Sequence, residues 1–362
     1  MKIIKIIYSI LLIVLIIFCT NAFAELTLVY AKKVEGLRAD GMIVNQKGDA
    51  YWMLTSDFAD QTLPKIQVYP FKAIGIDHNR VVLPASPYVL VLAKSSISVA
   101  KKQVLLVEVS FVDGSVYASL LNDQLTKLNK SVKIESPSFF PIEVMSTNTG
   151  YVIGGKSGKD LPALVMLSDT LTKQRLIEFS NQKEGAVLSL FTAKERLYAV
   201  ANSGSTAYLY EMSLSGDLLA SVLLPGRGVI ALPLKNNKEI VVAYSNEEGQ
   251  NFIEKLDEKL KSVWITKLHK DIDVTTEIQN LLEFKTGIAW VGGNNNKLIV
   301  HRIDEKNGNL KKTSIDNEST FSIPTHRNGY SVIADGSNIH IRGLAYKKNE
   351  NIQSMFHFVD TP

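Results

Sequence analysis

Cysteine is almost absent from this sequence, since Cys19 is the only one among 362 residues. It lies in an apolar segment close to the N-terminus, and no thiol follows it. Beyond that segment the chain therefore has no disulfides, no thiol nucleophile and no thiolate metal site. A chain of this length without cross-links must be stabilised by a hydrophobic core of its own.

Long apolar runs are also scarce. The only one, from Ile6 to Phe18, has thirteen residues, fewer than the ~20 that a membrane span needs. Lys2 and Lys5 precede it, and Ala22-Phe23-Ala24 follows with the small-x-small pattern of a cleavage site. This arrangement predicts a cleaved export signal over residues 1–24. An uncleaved N-terminal anchor is the alternative interpretation.

The predicted domain organisation follows from this signal. Residues 25–362 show no linker and no shift of composition, so we expect one domain in the periplasm or outside the cell, after cleavage near Ala24. Two of the 40 Lys and Arg residues lie in the signal, which leaves 38 against 36 Asp and Glu. This near balance does not favour a nucleic-acid partner, because nucleic-acid binders usually carry a basic excess.

A degenerate repeat runs through the chain. Comparable segments are YVIGGKSGKDLPALVMLSDTLTKQRLIEF from Tyr151 and IAWVGGNNNKLIVHRIDEKNGNLKKTSI from Ile288. Each has three apolar runs separated by loops rich in Gly, Asn, Ser, Asp or Lys, and a further apolar run precedes it. Such runs predict strands, four per unit. The second strands of the units begin at Val104, Tyr151, Tyr198, Ile240, Ile288 and Tyr330, in steps of 47, 47, 42, 48 and 42 residues.

A four-stranded unit of this period is typical of a β-propeller blade. One more unit fits upstream, so the prediction is an all-β, seven-bladed propeller with antiparallel blades. Six or eight blades, a β-sandwich, or a pair of all-β domains are the alternatives. The strand Leu26 to Lys33 precedes the first unit. We expect it to pair into the last blade and close the ring, because closure removes free sheet edges.

The repeats resemble those of bacterial exported β-propellers. The similar segments are GYVIGGKSGKDLPALVMLSDTL, GIAWVGGNNNKLIVHRIDEKNGNL and FIEKLDEKLKSVW, the last with Trp264 at the tryptophan position of that pattern. The other units lack this tryptophan. The resemblance implies the fold and does not imply a function, because the fold serves many functions.

The stretch GYVIGGKS matches the P-loop pattern at Gly150, Gly155, Lys156 and Ser157. A true P-loop places a helix directly after the lysine and serine. Here a turn, Pro162 and another strand pattern follow, so the prediction is a strand and a loop without nucleotide binding. We expect Gly154 and Gly155 to end the strand in a tight turn, with Lys156 and Ser157 facing solvent.

Few residues point to other chemistry. The six histidines are scattered, with no H-E-x-x-H spacing and no G-x-S-x-G elbow. Asp271 and Asp273 are the weak candidates for a metal site, and solvated loop acids are the simpler interpretation. No cofactor is indicated. Candidate partner contacts lie where first strands begin: Arg227 between two glycines, and Phe139 and Phe140, which could instead be core residues.

Three functions remain open from the sequence. The first is a non-enzymatic binding module that holds a protein or peptide on one face of the propeller. The second is a periplasmic propeller enzyme of the lactonase, glycosidase or dehydrogenase type, with a site assembled across blades. The third is an immunity or inhibitor protein against an exported toxin. The oligomeric state is not indicated.

Overall fold

The structure is a computed structural model, and every regular element in its described part is a β-strand. Among these residues, no helix has the length and apolar character needed to cross a membrane. The predicted signal lies outside the described residues except for Ala24. The described residues are 24–25, 27–34, 37–44, 50–57, 65–72, 75–76, 81–82, 90–98, 103–110, 114–122, 128–136, 138–180, 184–224, 226–236, 238–268, 279–294, 297–315, 321–322, 330–347 and 353–362.

The strands are short and follow the predicted repeat. In the first half of the chain they are β1 (Ala24–Glu25), β2 (Thr27–Val34), β3 (Leu37–Val44), β4 (Ala50–Asp57), β5 (Lys65–Lys72), β6 (Gly75–Ile76), β7 (Val81–Val82), β8 (Leu90–Ser98), β9 (Gln103–Ser110), β10 (Val116–Asn122), β11 (Leu128–Lys133), β12 (Phe140–Ser146), β13 (Gly150–Lys156), β14 (Pro162–Ser168) and β15 (Gln174–Glu178). In the second half they are β16 (Ala186–Ala193), β17 (Arg196–Ser203), β18 (Thr206–Ser213), β19 (Leu218–Leu224), β20 (Arg227–Pro233), β21 (Ile240–Ser245), β22 (Asn251–Leu256), β23 (Ser262–Lys267), β24 (Gln279–Phe284), β25 (Gly287–Asn294), β26 (Lys297–Ile303), β27 (Leu310–Ile315), β28 (Phe321–Ser322), β29 (Tyr330–Asp335), β30 (Asn338–Lys347) and β31 (Gln353–Asp360).

The described strands group into seven sheets, which we call blades 1 to 7. They are β3–β7, β8–β11, β12–β15, β16–β19, β20–β23, β24–β27 with β1, and β28–β31 with β2. First strands of successive blades contact each other in the order β3, β8, β12, β16, β20, β24, β29 and β3 again. The propeller fold with four-stranded antiparallel blades is confirmed. The closed circuit supports seven as the number of blades.

The N-terminal strand completes the last blade. Strand β2 pairs antiparallel with β31, from Thr27 opposite Val359 to Val34 opposite Gln353. The predicted pairing of this segment into the last blade is therefore confirmed. Strand β1 runs parallel to β27 and adds a fifth strand to the outer edge of blade 6.

The last blade corrects one strand assignment. Tyr330 belongs to the first strand position of its blade and not to the second. Strands β28 and β29 both pair with β30, so they share the innermost position. The reason is that β2 supplies the fourth strand, so the last unit needs only three strand positions of its own.

The turns between third and fourth strands explain the polar part of the repeat. In blades 3 to 6, each of these turns begins with a side chain that accepts backbone N–H groups of its own turn, which stabilises a tight reversal. The carboxylate of Asp257 accepts the N–H groups of Lys261 and Lys259 at 2.9 and 2.8 Å. These bonds hold the pKa of Asp257 below its usual value. Equivalent acceptors are Ser168, Ser213 and Asp304.

The hydrophobic core lies in the seams between neighbouring blades. One cluster joins residues of blades 2 and 3, including Leu105, Val107, Tyr151 and Ile153. Further clusters lie between blades 3 and 4, 4 and 5, 5 and 6, and 6 and 7. Because blades 3 to 6 each bury both of their surfaces against neighbouring blades, their inner strands are nearly continuous apolar runs.

A buried ion pair joins blade 6 to blade 7 where the chain ends. Asp360 is fully buried in β31, and Arg302 of β26 donates Nε–H to its Oδ2 at 2.5 Å. Arg302 also donates to the backbone oxygens of Ser337 and Asp360, each at 2.7 Å. Ser314 donates its hydroxyl to Asp360 Oδ1 at 2.6 Å. These bonds satisfy a charge that would otherwise be costly to bury.

We predict that Asp360→Asn destabilises the protein by roughly 3–5 kcal/mol, because it leaves the buried Arg302 guanidinium without its carboxylate. Chemical denaturation measures this loss. The matched control is Asp217→Asn, which removes the carboxylate of an exposed pair with Arg175. The control should leave the unfolding midpoint nearly unchanged. Equal shifts in the two variants would contradict a structural role for the buried pair.

Candidate functional site

One face of the propeller collects most of the predicted contact residues. We call it the entry face. It is formed by the beginnings of the first strands, the ends of the second strands and the loops that follow them. Phe140 begins β12 opposite Lys156 at the end of β13, and Arg227 begins β20 opposite Ser245 at the end of β21. Phe140 and Arg227 thus share this face, on blades 3 and 5.

Arg227 lies between two glycines whose backbone conformations fix the local course of the chain. Its side chain is exposed, and its neighbours Gly226 and Gly228 have φ values of 77° and 63°. These conformations favour glycine because it lacks a Cβ. A Cβ on Gly226 would also collide with the carbonyl oxygen of Ser245. The pairing of β20 with β21 is irregular between Arg227 and Ile230, which is typical of a bulge that redirects side chains.

Asn202 of blade 4 fixes this bulge from the side. Its Oδ1 accepts the N–H of Val229 at 2.8 Å, and its Nδ2 donates to the oxygen of Val229 at 3.2 Å. Asn202 is only 9% exposed. The irregular pairing gives Val229 no partner in the β20–β21 register, and the buried amide satisfies both of its backbone groups. The conformation around Arg227 is therefore set by the fold itself.

Buried polar side chains lie at the end of β21, beside the backbone position of Arg227. Ser245 donates its hydroxyl to Asn251 Oδ1 at 2.5 Å. Gln250 donates its amide to the oxygen of Leu268 at 2.5 Å, while its Oε1 is buried with no hydrogen-bond donor in the described part of the chain. A buried acceptor without a donor is unusual in folded proteins.

The two phenylalanines have different environments. Phe139 is 2% exposed and packs in the core between blades 2 and 3. It is not accessible to a partner, and its role is packing, which was the alternative interpretation. Phe140 is 47% exposed at the beginning of β12. Phe140 and Arg227 therefore remain as the candidate contacts.

The P-loop-like stretch forms a β-hairpin. Strand β13 includes Lys156, and β14 begins at Pro162 after a turn in which the N–H of Ser157 donates to the oxygen of Leu161 at 2.8 Å. Lys156 Nζ forms an ion pair with Asp160 Oδ1 at 2.6 Å. Lys159 and the Ser157 hydroxyl both bond to the Glu178 carboxylate and hold its pKa below the usual value. The lysine and serine of the motif thus have partners within the chain.

Two details of this stretch differ from expectation. Ser157 is only 2% exposed and does not face solvent, because its hydroxyl turns toward Glu178. Gly154 and Gly155 do not form a turn but lie inside β13. They are required for close packing. A Cβ on Gly154 would lie 2.8 Å from Val187 Cγ1 of blade 4, and one on Gly155 would collide with the carbonyl oxygen of Phe140.

The candidate metal ligands Asp271 and Asp273 lie outside the described residues. Within the described ranges, no group of three or more His, Cys, Asp or Glu side chains is arranged to hold a metal ion. The described part of the entry face carries an exposed arginine, an exposed aromatic ring and buried amides, together with exposed carboxylates such as Asp160, Glu247 and Glu248.

Sequence reasoning missed the residues that support Arg227. Asn202 lies 27 positions from Val229, and no local pattern connects them. The repeat offers one signal, because Asn202-Ser-Gly-Ser is the loop that corresponds to GGKS in the preceding unit. Alignment of the units places Asn202 at an entry-face position, but the contact with Val229 depends on how two blades pack.

Comparisons with known proteins agree on the fold. No protein-family model matches the sequence, and no curated protein matches it significantly. The chain is similar to the Dos1 propeller, with a TM-score of 0.59 and 12% identity over 92% of this chain and 94% of that one. It is also similar to hydrazine synthase of Kuenenia stuttgartiensis, with a TM-score of 0.52 and 12% identity over 75% and 78% of the two chains. At such identities the likeness shows a shared fold alone.

For the P-loop-like hairpin, we predict that Lys156→Ala leaves the melting temperature nearly unchanged and that ATP does not shift it. The side chain of Lys156 is 42% exposed, and its ion pair with Asp160 lies at the surface, where such pairs contribute little. Gly155→Ala is the contrasting variant and should destabilise the protein. Differential scanning fluorimetry with and without ATP measures these effects. An ATP-dependent rise in the melting temperature that Lys156→Ala abolishes would contradict the interpretation.

Proposed function

We propose that this chain is an exported, non-enzymatic propeller that binds a protein or peptide partner on its entry face. Arg227 carries the proposal, because its side chain is exposed while its backbone is fixed by two glycines and by Asn202. Arginine is over-represented among residues that dominate binding energy. Its guanidinium presents donors suited to a carboxylate or to backbone carbonyl groups.

The rigidity of this position supports a binding role. A side chain that starts from an ordered backbone loses less conformational entropy when a partner binds. The bulge, the two left-handed glycines and the buried Asn202 amide all act on one short segment. Within the described residues, no hydrogen bond or ion pair engages the Arg227 side chain. Its donors are thus available to a partner.

Phe140 supplies the second part of the proposed contact. It lies on the same face as Arg227, in blade 3, and its ring is 47% exposed. A large aromatic ring adds apolar contact area at a low cost in rotamer entropy. A partner that extends across blade 4 from Phe140 to Arg227 would combine an apolar anchor with a charged one. An extended peptide or a protein loop has the length for this.

Export is the other part of the proposal. Lys2, Lys5, the apolar run to Phe18 and the Ala22-Phe23-Ala24 pattern support a cleaved signal and a periplasmic or secreted location. The predicted cleavage point after Ala24 falls inside β1, next to the strand that completes blade 7. Strand β2, which completes the ring, therefore follows almost directly after the predicted signal.

We predict that Arg227→Ala and Phe140→Ala each weaken capture of the partner from a periplasmic extract by about tenfold or more, the loss typical of a binding hot spot. Neither should change the melting temperature, because both side chains are exposed. Pull-down with the purified variants, followed by titration of the captured partner, measures the loss.

Two controls make this test specific. Phe139→Ala should cost roughly 3–5 kcal/mol of stability, because it opens a cavity in the core. Val263→Ala removes a side chain that is 50% exposed on the outer strand of blade 5 and should leave capture intact. Undiminished capture by both Arg227→Ala and Phe140→Ala would contradict the proposal.

A further inference from the structure

The outer strands of four blades share a hydrogen bond to the next blade. In each case a side chain of the fourth strand donates to a main-chain oxygen just after the third strand of the following blade. Lys130 donates to Thr170, Arg175 to Ser215 and Trp264 to Glu305, at 2.8, 2.8 and 3.0 Å, and Lys312 donates to Thr361. We call these bonds the outer clasps, because they join neighbouring blades at the rim of the ring.

The four donors occupy one structural position. In the strand register, Lys130, Arg175, Trp264 and Lys312 lie opposite Leu120, Met166, Lys255 and Arg302, respectively. Each of these third-strand residues directly precedes a large apolar residue beside the turn, namely Leu121, Leu167, Leu256 and Ile303. The position is therefore equivalent in blades 2, 3, 5 and 6, although its residue type varies.

Blade 4 has an alanine at this position. Ala220 lies opposite Glu211, which directly precedes Met212. It faces blade 5, because Leu224, four residues further along β19, packs in the core between blades 4 and 5. Ala220 is nevertheless exposed. The space that a longer side chain fills in the other blades is thus open to solvent beside Ala220, and we call it the rim notch.

The blade 5 side of the rim notch offers a main-chain oxygen. The clasp acceptors Thr170 and Ser215 are each the third residue of a turn in which the fourth residue donates to the oxygen of the first. The turn of blade 5 is closed in the same way by Leu260 and Asp257, so its third residue is Lys259. Within the described part of the chain, no hydrogen bond reaches the Lys259 oxygen. The acceptor of an outer clasp is therefore present here without its donor.

The blade 4 side of the rim notch carries a carboxylate. Glu211 faces blade 5, because Ala207 and Leu209, on the same side of β18, pack in the core between these blades. Its side chain is 28% exposed, bonds to the Tyr198 hydroxyl and lies 4.0 Å from Arg196 Nε. The residues at this position in blades 2, 3, 5 and 6 are leucine, methionine, lysine and arginine. Blade 4 thus combines the missing donor with a negative charge that no other of these blades has there.

A second carboxylate faces the same seam from blade 5. Glu254 lies on the same side of β22 as Phe252 and Leu256, which pack against blade 4. It is only 5% exposed, and the Tyr244 hydroxyl bonds to its carboxylate. Its Oε2 is buried with no donor from the residues that the structure describes. Buried acceptors are usually satisfied, so this seam has more acceptors than its own side chains supply with donors.

We propose that the rim notch binds the guanidinium group of a ligand, which supplies the outer clasp that Ala220 cannot make. Arg175 demonstrates the chemistry, because its guanidinium donates both to a main-chain oxygen of the next blade and to the carboxylate of Asp217. A guanidinium in the rim notch donates in the same way to the Lys259 oxygen and to Glu211. Its planar set of N–H donors suits two such acceptors, and its charge complements the carboxylate. The group belongs either to an arginine side chain of a partner protein or to a free guanidinium compound.

Ligand-observed NMR on the full chain tests this site with three probes. They are propylguanidinium, a blocked alanine-arginine-alanine tripeptide, and propylurea, which has a similar shape without the charge. Both charged probes should bind, and propylurea should bind at least about tenfold more weakly, because hydrogen bonds to charged groups are the stronger ones. Tighter binding of the tripeptide than of propylguanidinium assigns the site to an arginine of a partner protein. Equal binding assigns it to a free guanidinium compound.

Substitutions at the rim notch give a second test. Ala220→Arg should abolish binding of propylguanidinium and raise the unfolding midpoint, because the chain then makes its own outer clasp. Ser221→Arg adds the same side chain on the opposite side of β19 and should change neither property. Glu211→Gln should weaken binding about tenfold. Glu135→Gln removes an exposed carboxylate of blade 2 and should leave binding intact.

Several results would overturn the guanidinium site. They are a wild-type chain that binds neither charged probe, equally tight binding of propylurea, and binding that survives Ala220→Arg or is lost equally in Ser221→Arg. If Ala220→Arg does not fold, Ala220→Met fills the rim notch without a donor, and binding retained in that variant overturns the site by itself. None of these results bears on Arg227, which lies in the first strand of blade 5 on the entry face.

Discussion

The structure depends on closure of the ring by strands from opposite ends of the chain. Strand β2 completes blade 7, and the buried Arg302–Asp360 pair ties the end of that blade to blade 6. Because the core is distributed over seams between blades, no blade can bury both of its surfaces until its neighbours are in place. The β2–β31 pairs join residues more than 300 positions apart, so we expect this pairing to form slowly and late in folding.

Seams also explain how this fold can support a binding face. Inside each seam, apolar side chains of two blades interdigitate, while polar residues near the blade ends fix local geometry. The Asn202–Val229 pair is an example, since a side chain of blade 4 determines the backbone of blade 5 beside Arg227. At the outer edge of these seams, Lys130, Arg175 and Trp264 of fourth strands donate hydrogen bonds to main-chain oxygens of the next blade.

Sequence reasoning predicted the propeller because its signal is periodic. Turn residues such as Asp257 and Asp304 recur at fixed places, and each marks a reversal that the strand pattern requires. The burial and role of individual residues were harder to predict, because the neighbouring blade sets their environment. Phe139 and Phe140 are adjacent and identical, yet one is buried in a seam and the other is exposed. Gly154 was predicted to lie in a turn. It lies inside β13 instead, where Val187 of the next blade, 33 positions away, leaves no room for a Cβ.

The central claim is that the entry face around Arg227 binds a protein or peptide partner. Site-specific photo-crosslinking in the cell tests it most directly, with the photoreactive residue placed at position 227 or, as a control, at Glu195 in the exposed turn on the opposite face. The account predicts a covalent adduct with one partner from position 227 and none from position 195. Adducts from position 195 alone, or from neither position, would contradict it.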